Sequence, residues 1–415
     1  MKIIYILIAI IVLLVLITIH ELGHYLAGKM LRFKINEFSI GFGKALYTKK
    51  MKSGEIFSIR LVPLGGFCAF EGEDEENPSP DAFNNKPAWR RLIVLISGVL
   101  FNFVFGIITA VPFLMLNGNA LPCISDLSPN NPNSALLKNG DIITEVNGKS
   151  LEIYRTMTDL TKKIGKGENI TLTVIRDGKE IKIENIQKYQ NEAFFFVSKV
   201  FNVNGLIFDK DGNELTLEVV KEKVKSVKPV LNQETNEYDK YSHAGEFYKQ
   251  DGTVYTDEEF TKLVGVSLAT PSTSMGFIYY NVRDSYGFFE SLLKAWPFCF
   301  YICGLILGAL GGIFTGATAV AELGGTVTAI SQIAEISQVG FTSFLLLLPM
   351  LAMNLALFNI LPIPALDGAR CVFVAIEWIF KKPVPRKIEN IIHTVGLFVL
   401  LGLVVFLDIY HFFIL

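Results

Sequence analysis

Two histidines and a glutamate in the pattern His20-Glu21-Leu22-Gly23-His24 are the chain's clearest chemical signal. On a helix, positions i and i+4 are neighbours one turn apart, so both imidazoles face one side. Two such imidazoles can bind one zinc ion and leave a position for a water that the adjacent Glu can deprotonate. The setting is unusual for this motif. Ile3 to Ile19, directly upstream, carries no charge. An apolar run of that length spans or nearly spans a bilayer. Ionisable groups at membrane depth are costly and mark function by default. A buried His pair satisfied by backbone carbonyls is the bland alternative. A secretory signal peptide after Lys2 is another, but His20 and Glu21 stand where the small residues of a cleavage site belong. The residues read as a zinc hydrolase centre placed inside a membrane.

Two histidines do not complete a catalytic zinc site, which normally takes three protein ligands and an open position. His243, His393, His411 and carboxylates at membrane depth are the candidates. The stretch Asn359-Ile360-Leu361-Pro362-Ile363-Pro364-Ala365-Leu366-Asp367-Gly368 stands out among them. It closes an apolar helix, breaks it with two prolines and presents Asp367 at the end. Such a break at membrane depth is tolerated only where the backbone faces protein or a wet cavity. A simple helix-end cap is the other use of such an Asp.

The elements that must hold these residues are apolar. Hydrophobic residues make up 51% of the 415, with 33 Phe, and the mean hydropathy is +0.40, which is membrane-protein composition. The net charge of −2 offers no electrostatic case for nucleic acid. Cys68, Cys123, Cys299, Cys303 and Cys371 are scattered and odd in number, so no disulfide framework is expected. No internal repeat is visible.

A first membrane helix is expected over residues 1–27. Residues 28–91 are rich in Lys and Arg, the mark of the cytoplasmic side. Within them, Glu55 to Glu71 reads as two short strands around the turn Pro63-Leu64-Gly65-Gly66. The acidic patch Glu71 to Glu76 reads as a solvated loop. A second membrane helix follows over 92–116, with Asn102 one turn after Gly98. A lone Asn in such a helix reads first as helix–helix glue. Residues 117–284 are polar: 138–148 reads as turn, strand, turn, strand patterns run at 170–176 and 180–183, Asp177-Gly178 is a hairpin turn, and 156–164 is a short helix candidate. Residues 205–260 look like an insertion with strand-like pieces at 214–220 and 252–255. Residues 285–340 include the glycine-rich apolar stretch Ala295 to Ala321. Further membrane helices are expected over 341–366 and 391–415, joined by a basic loop at 367–390. If both basic loops are cytoplasmic, parity forbids Ala295 to Ala321 from crossing; it should lie on the outer surface or dip in and return. Four helices then span.

With these motifs set out, the chain resembles the site-2 protease family of intramembrane zinc metalloproteases. The resemblance rests on H-E-x-x-H in the first membrane helix and N-x-x-P-x-P-x-L-D-G after the third. Lys138 to Gly148 with Ile170 to Ile183 resembles the PDZ domain of that family's bacterial RseP-like branch. Leu61 to Phe67 resembles its membrane-associated β-loop. The implied fold is a multi-pass α-helical membrane protein: four transmembrane helices, a membrane-associated β-loop and an extracytoplasmic β-rich PDZ domain. Departures are Val99 after Gly98, Gly324-Gly325-Thr326 where Gly-Pro is usual before the third helix, and Ala369 after Asp367-Gly368. None removes a catalytic atom.

The resemblance implies one Zn2+ per chain, held by His20, His24 and Asp367. It makes Glu21 the acid–base group and Asn359 a substrate contact, with Gly65 and Gly66 in the β-loop beside the substrate. A helical substrate must unwind, and an exposed strand in Ile56 to Phe70 could hold it extended. Expected substrates are single-span membrane proteins already cut on the outer side, such as anti-sigma factors, or remnant signal peptides. The expected location is a bacterial plasma membrane, with the lipid bilayer as surroundings, the site toward the cytoplasm and the PDZ domain outside. An inactive PDZ scaffold, a prenyl-protein-type zinc protease and a transporter are the rivals. The complete ligand set argues against the first. The second takes a downstream Glu as third ligand, and the third lacks a visible repeat.

Overall fold

A computed structural model describes residues 2–73, 79–165, 167–199, 203–232, 235, 237–243, 245–315, 326–382 and 384–414. The chain divides into two compact units, Met1–Gly118 with Ser285–Leu415, and Asn119–Asp284.

The first unit begins with α1 (Lys2–Met30). Its uncharged run Ile3–Ile19 leaves no charged face, and Thr18 satisfies its hydroxyl on the Leu14 carbonyl at 2.7 Å. Two antiparallel strands follow, β1 (Ile35–Lys50) and β2 (Ile56–Phe70). They are longer than the two short strands expected within Glu55–Glu71. Gly41 and Gly43, with φ of +87° and +81°, bend β1 and break the alternation that would have shown it. Each strand therefore serves as two ribbons. Residues 35–40 pair with 66–70 on one side and 56–59 on the other, and 56–60 pair again with 45–50. The ribbon order is 66–70, 35–40, 56–60, 45–50, so among the described residues 66–70 has a strand on one side only, while 56–60 has one on both. Of the acidic patch expected to be a solvated loop, Glu71 pairs with Lys34 at 2.5 Å and Glu73 with Arg370; residues 74–76 lie outside the described residues. Next, α2 (Ala88–Asn117) starts behind Pro87 and ends at Gly118, φ +63°.

The second unit holds β3 (Asn119–Leu127), β4 (Ile142–Val146), β5 (Lys149–Ser150), α3 (Met157–Thr161), β6 (Asn169–Arg176), β7 (Lys179–Gln187), β8 (Tyr189–Gln190) and β9 (Phe194–Val197). It continues with α4 (Leu217–Ser226), α5 (Asp257–Val264), β10 (Val266–Ala269), β11 (Thr273–Ser274) and β12 (Phe277–Asp284). Its main sheet runs β12-β3-β4-β6-β7, with β5 beside β4, all antiparallel. Ile124, Ile143, Ile170, Leu172 and Val174 fill one core. Ile207, Val220, Val224, Phe247, Phe260 and Val264 fill a second.

The second core corrects two expectations. The piece expected as a strand at 214–220 enters α4, because Thr216 caps the helix by accepting from the Val219 amide. Thr256 and Glu259 close a capping box on α5 in the same way. There is also an internal repeat, unseen in the sequence. Gly205–Val224 and Gly245–Val264 align position for position, each with an Asp-Gly turn, a Thr cap and a helix. The two copies join through reciprocal bonds, Phe208 N to Tyr248 O and Tyr248 N to Phe208 O, both 2.9 Å.

The chain then returns to the first unit with α6 (Phe288–Thr315), α7 (Thr326–Val339), α8 (Phe341–Ile360), α9 (Asp367–Phe380) and α10 (Arg386–Ile414). Helix α7 occupies the expected polar connection, and α9 lies inside the expected basic loop. Gly316, Gly324 and Gly325 lie outside the described residues. The Asp408 carboxylate in α10 caps α7 through the Val327 and Thr328 amides at 3.1 and 3.0 Å. Among the described residues, 5 helices are long and apolar enough to cross a membrane: Ile3–Met30, Ala88–Asn117, Phe288–Gly312, Phe341–Ile360 and Arg386–Tyr410.

Candidate metal centre

Close packing of α1 against α2 sets the two imidazoles. A Cβ on Gly23 would stand 2.4 Å from the Ser97 carbonyl oxygen. One on Gly98 would stand 2.5 Å from His24 Nε2 and 2.7 Å from His20 Cε1. The two glycines bring the helices together and leave room for the rings. His20 and His24 are both buried.

The third group arrives from the far end of the chain. Leu361 leaves α8 in an extended conformation, Pro362 and Pro364 prevent its continuation, and Asp367 opens α9. Asp367 Oδ2 lies 2.9 Å from His20 Nε2 and 3.2 Å from His24 Nε2. The two Nε2 atoms are 3.1 Å apart. Among the described residues, this is the group of His, Cys, Asp and Glu that could hold a metal ion.

The hydrogen bonds behind the rings test whether zinc fits. His24 Nδ1 is 2.8 Å from the Val94 carbonyl oxygen. A carbonyl only accepts, so Nδ1 carries the proton and Nε2 turns a lone pair to the cluster. His20 Nδ1 faces the Asn102 amide at 3.3 Å. Asn102 is 0% exposed, and its Oδ1 lacks a partner. Oxygen and nitrogen of an amide are interchangeable by a flip. With its oxygen toward Nδ1, Asn102 accepts the His20 proton and frees the His20 Nε2 lone pair. Two imidazole lone pairs and a carboxylate oxygen then converge, which is repulsive without a cation and is the donor set of a three-ligand zinc site. Asn102, expected as helix–helix glue, instead faces a ligand ring. Its spacing of one turn from Gly98 was the available signal.

Glu21 lines a cavity of about 350 Å³ with His24, Asp367, Phe67, Cys68, Phe70 and Arg370. Residues 67–70 of that outer ribbon thus form one wall of the cavity. Gly66 lies beside Glu21, where a Cβ would be 3.6 Å from Glu21 Cγ and 2.8 Å from the Ser39 carbonyl oxygen. Gly65 has a packing reason of its own, since a Cβ there would be 1.9 Å from Phe42 Cε2. Asn359 is half-buried near the end of α8.

Ion pairs hold the surroundings. Buried Arg91 of α2 forks onto Glu377 of α9. Glu55, between β1 and β2, meets Lys29 at 2.7 Å and Tyr25 at 2.8 Å. Burial pushes the Glu55 carboxyl up, but Lys29, Tyr25 and Ser53 outweigh it and hold it at about 2.

Comparison with known proteins agrees with this geometry. The model of peptidase family M50 matches residues 8–403. A Fusobacterium nucleatum protein named as a zinc metalloprotease is 28% identical over 409 residues, 97% of each chain. The regulator of sigma E protease of Haemophilus influenzae is 27% identical over 431 residues, 96% of each chain. The regulator of sigma-E protease RseP of Salmonella typhimurium is 26% identical over 447 residues, covering 95% of this chain and 96% of that one. The chain belongs to peptidase family M50 and is a membrane zinc metalloprotease of the site-2 type.

Proposed function

We propose that this protease cuts peptide bonds within or near the membrane segments of single-span proteins, with one zinc per chain held by His20, His24 and Asp367. One observation carries the reading: Glu21, His24, Asp367 and residues 67–70 line one cavity, and His20 joins His24 and Asp367 in a single cluster beside it. Zinc supplies Lewis acidity toward a water and the scissile carbonyl. Glu21 takes a proton from the attacking water and hands it to the leaving amine. The edge 66–70 accepts an unwound substrate as an added strand, which exposes peptide groups a helix would hide. This narrows the expected substrate-holding stretch, because 56–60 is already paired on both sides. Asn359 offers its amide to the substrate backbone.

Substrates trimmed on the outer side, such as membrane-bound anti-sigma factors or remnant signal peptides, fit this chemistry. The second unit then acts outside a bacterial plasma membrane as a PDZ-like size filter or peptide reader. Antiparallel α1 and α2, and the meeting of α1 and α8 at their C-terminal ends, support spans that run in, out, in and out through α1, α2, α8 and α10. Helix α6 is read as lying across the outer surface. Phe103 and Phe113, about three turns apart on α2, touch Trp296, Phe298 and Phe300 within one short stretch of α6. A steep crossing of that kind suits a helix lying flat better than one spanning.

The test uses the full chain in detergent with a single-span substrate. Glu21→Gln should keep zinc and lose turnover. Asp367→Ala, His20→Ala and His24→Ala should lose both. Wild-type cleavage by Asp367→Ala would sink the ligand assignment.

A further inference from the structure

Asp367 reaches the cluster from a turn that the backbone does not favour. Ala365, two residues before it, has φ +75°. A side chain in this left-handed region is strained, and such strain persists only where the surroundings enforce it. What encloses the turn is α10. His393 Nδ1 accepts a 3.0 Å hydrogen bond from the Ala365 amide. One helical turn further, Gly396 lies so close to the turn that a Cβ there would be 2.2 Å from Pro364 Cβ. The His393 ring is backed by Phe373 of α9, with centroids 5.7 Å apart. Gly368 closes the other side, where a Cβ would be 2.1 Å from the Leu361 carbonyl oxygen.

We propose that His393 is a positioning residue: its Nδ1 lone pair holds Ala365 in the strained turn, and so sets the Asp367 carboxylate where His20 and His24 can share a metal with it. The last helix thereby takes part in zinc binding without contacting zinc. The inference rests on the assignment of Asp367 as third ligand. The role needs only an acceptor at one place on the ring. Asn Oδ1 occupies the same place on its side chain as His Nδ1, so Asn can substitute and Leu cannot. If the hydrogen bond offsets strain at Ala365, removing the strain should remove the need for the bond. Glycine adopts positive φ at no steric cost.

The experiment measures zinc affinity of the full-length detergent-solubilised protein by chelator competition, with zinc alone as the probe. His393→Leu should bind zinc about tenfold more weakly, the worth of one buried hydrogen bond. His393→Asn should bind like wild type. Ala365→Gly added to His393→Leu should recover most of the loss, which mere damage to α10 packing would not allow. His393→Leu binding zinc like wild type, or the double variant binding as weakly as His393→Leu, would overturn the proposal. If His393→Leu does not accumulate, recovery of a zinc-binding protein by Ala365→Gly supports it, and failure of His393→Asn to bind overturns it. A wild-type chain that takes up no zinc would instead overturn the ligand assignment itself.

Discussion

Adding one methyl group at Gly98 asks whether the two imidazoles have room to give. The new Cβ would stand 2.5 Å from His24 Nε2 and 2.7 Å from His20 Cε1. Unstrained contact needs roughly 3.5 Å, so a shift of about 1 Å is required. The rings cannot supply it, because His24 is held at Nδ1 by Val94 and His20 faces Asn102. Metal–ligand distances tolerate only about 0.2 Å. Gly98→Ala should therefore weaken zinc binding by on the order of a hundredfold, as damage to a ligand's support does at its upper end. The fold should lose only the roughly 1–3 kcal/mol of an overpacked core. Chelator competition gives the first quantity and thermal unfolding of metal-free protein the second. Gly106→Ala is the control: it adds the same methyl to the same helix, where the nearest atom, at 2.2 Å, is the flexible end of Met353. It should keep zinc. Wild-type zinc affinity in Gly98→Ala would refute the close-packing account of the site.

Asn102→Leu should weaken zinc binding about tenfold, while Asn102→Asp, which still accepts from His20, should not; the same competition assay decides. Glu55 has its folded pKa depressed to about 2, so its hold on α1 is complete above its ordinary value of 4.5 and fades as pH falls toward 2. Pepsin should cut near Met51 only toward the low end of that window, and Glu55→Gln should abolish the pH dependence. Cysteines introduced at Glu290 and Ser331 should label from the same side in intact cells if α6 does not cross.

Much of the chemistry was legible because it is local. The spacing of His20, Glu21 and His24 survives any tertiary context, and the prolines before Asp367 announce a broken helix. What needs a partner was not legible. Gly98 reads as an ordinary small residue until the imidazoles lie against it. Strand β1 was hidden because Gly41 and Gly43 fold it back on itself. Thr216 and Thr256 cap helices, but the residues around 214–220 alternate like a strand, which masks the helix start at Leu217. The repeat is faint in the sequence because its copies share turn and cap residues such as Asp211-Gly212 and Asp251-Gly252, while their core positions differ, with Ile207 matching Phe247 and Val220 matching Phe260.

The paired copies of the second core have a consequence for how this region can change. Val220 and Val224 from one copy, and Phe260 and Val264 from the other, complete a single interior. Neither copy has a floor without its twin. The reciprocal Phe208–Tyr248 bonds add a seam that opens on both sides or on neither. The module therefore melts as one body, and a deletion that takes half of it takes the whole. Between the copies, Asp239 N bonds to Val230 O at 2.9 Å, and Tyr241 is buried in the same core. The two copies should therefore be kept or lost together.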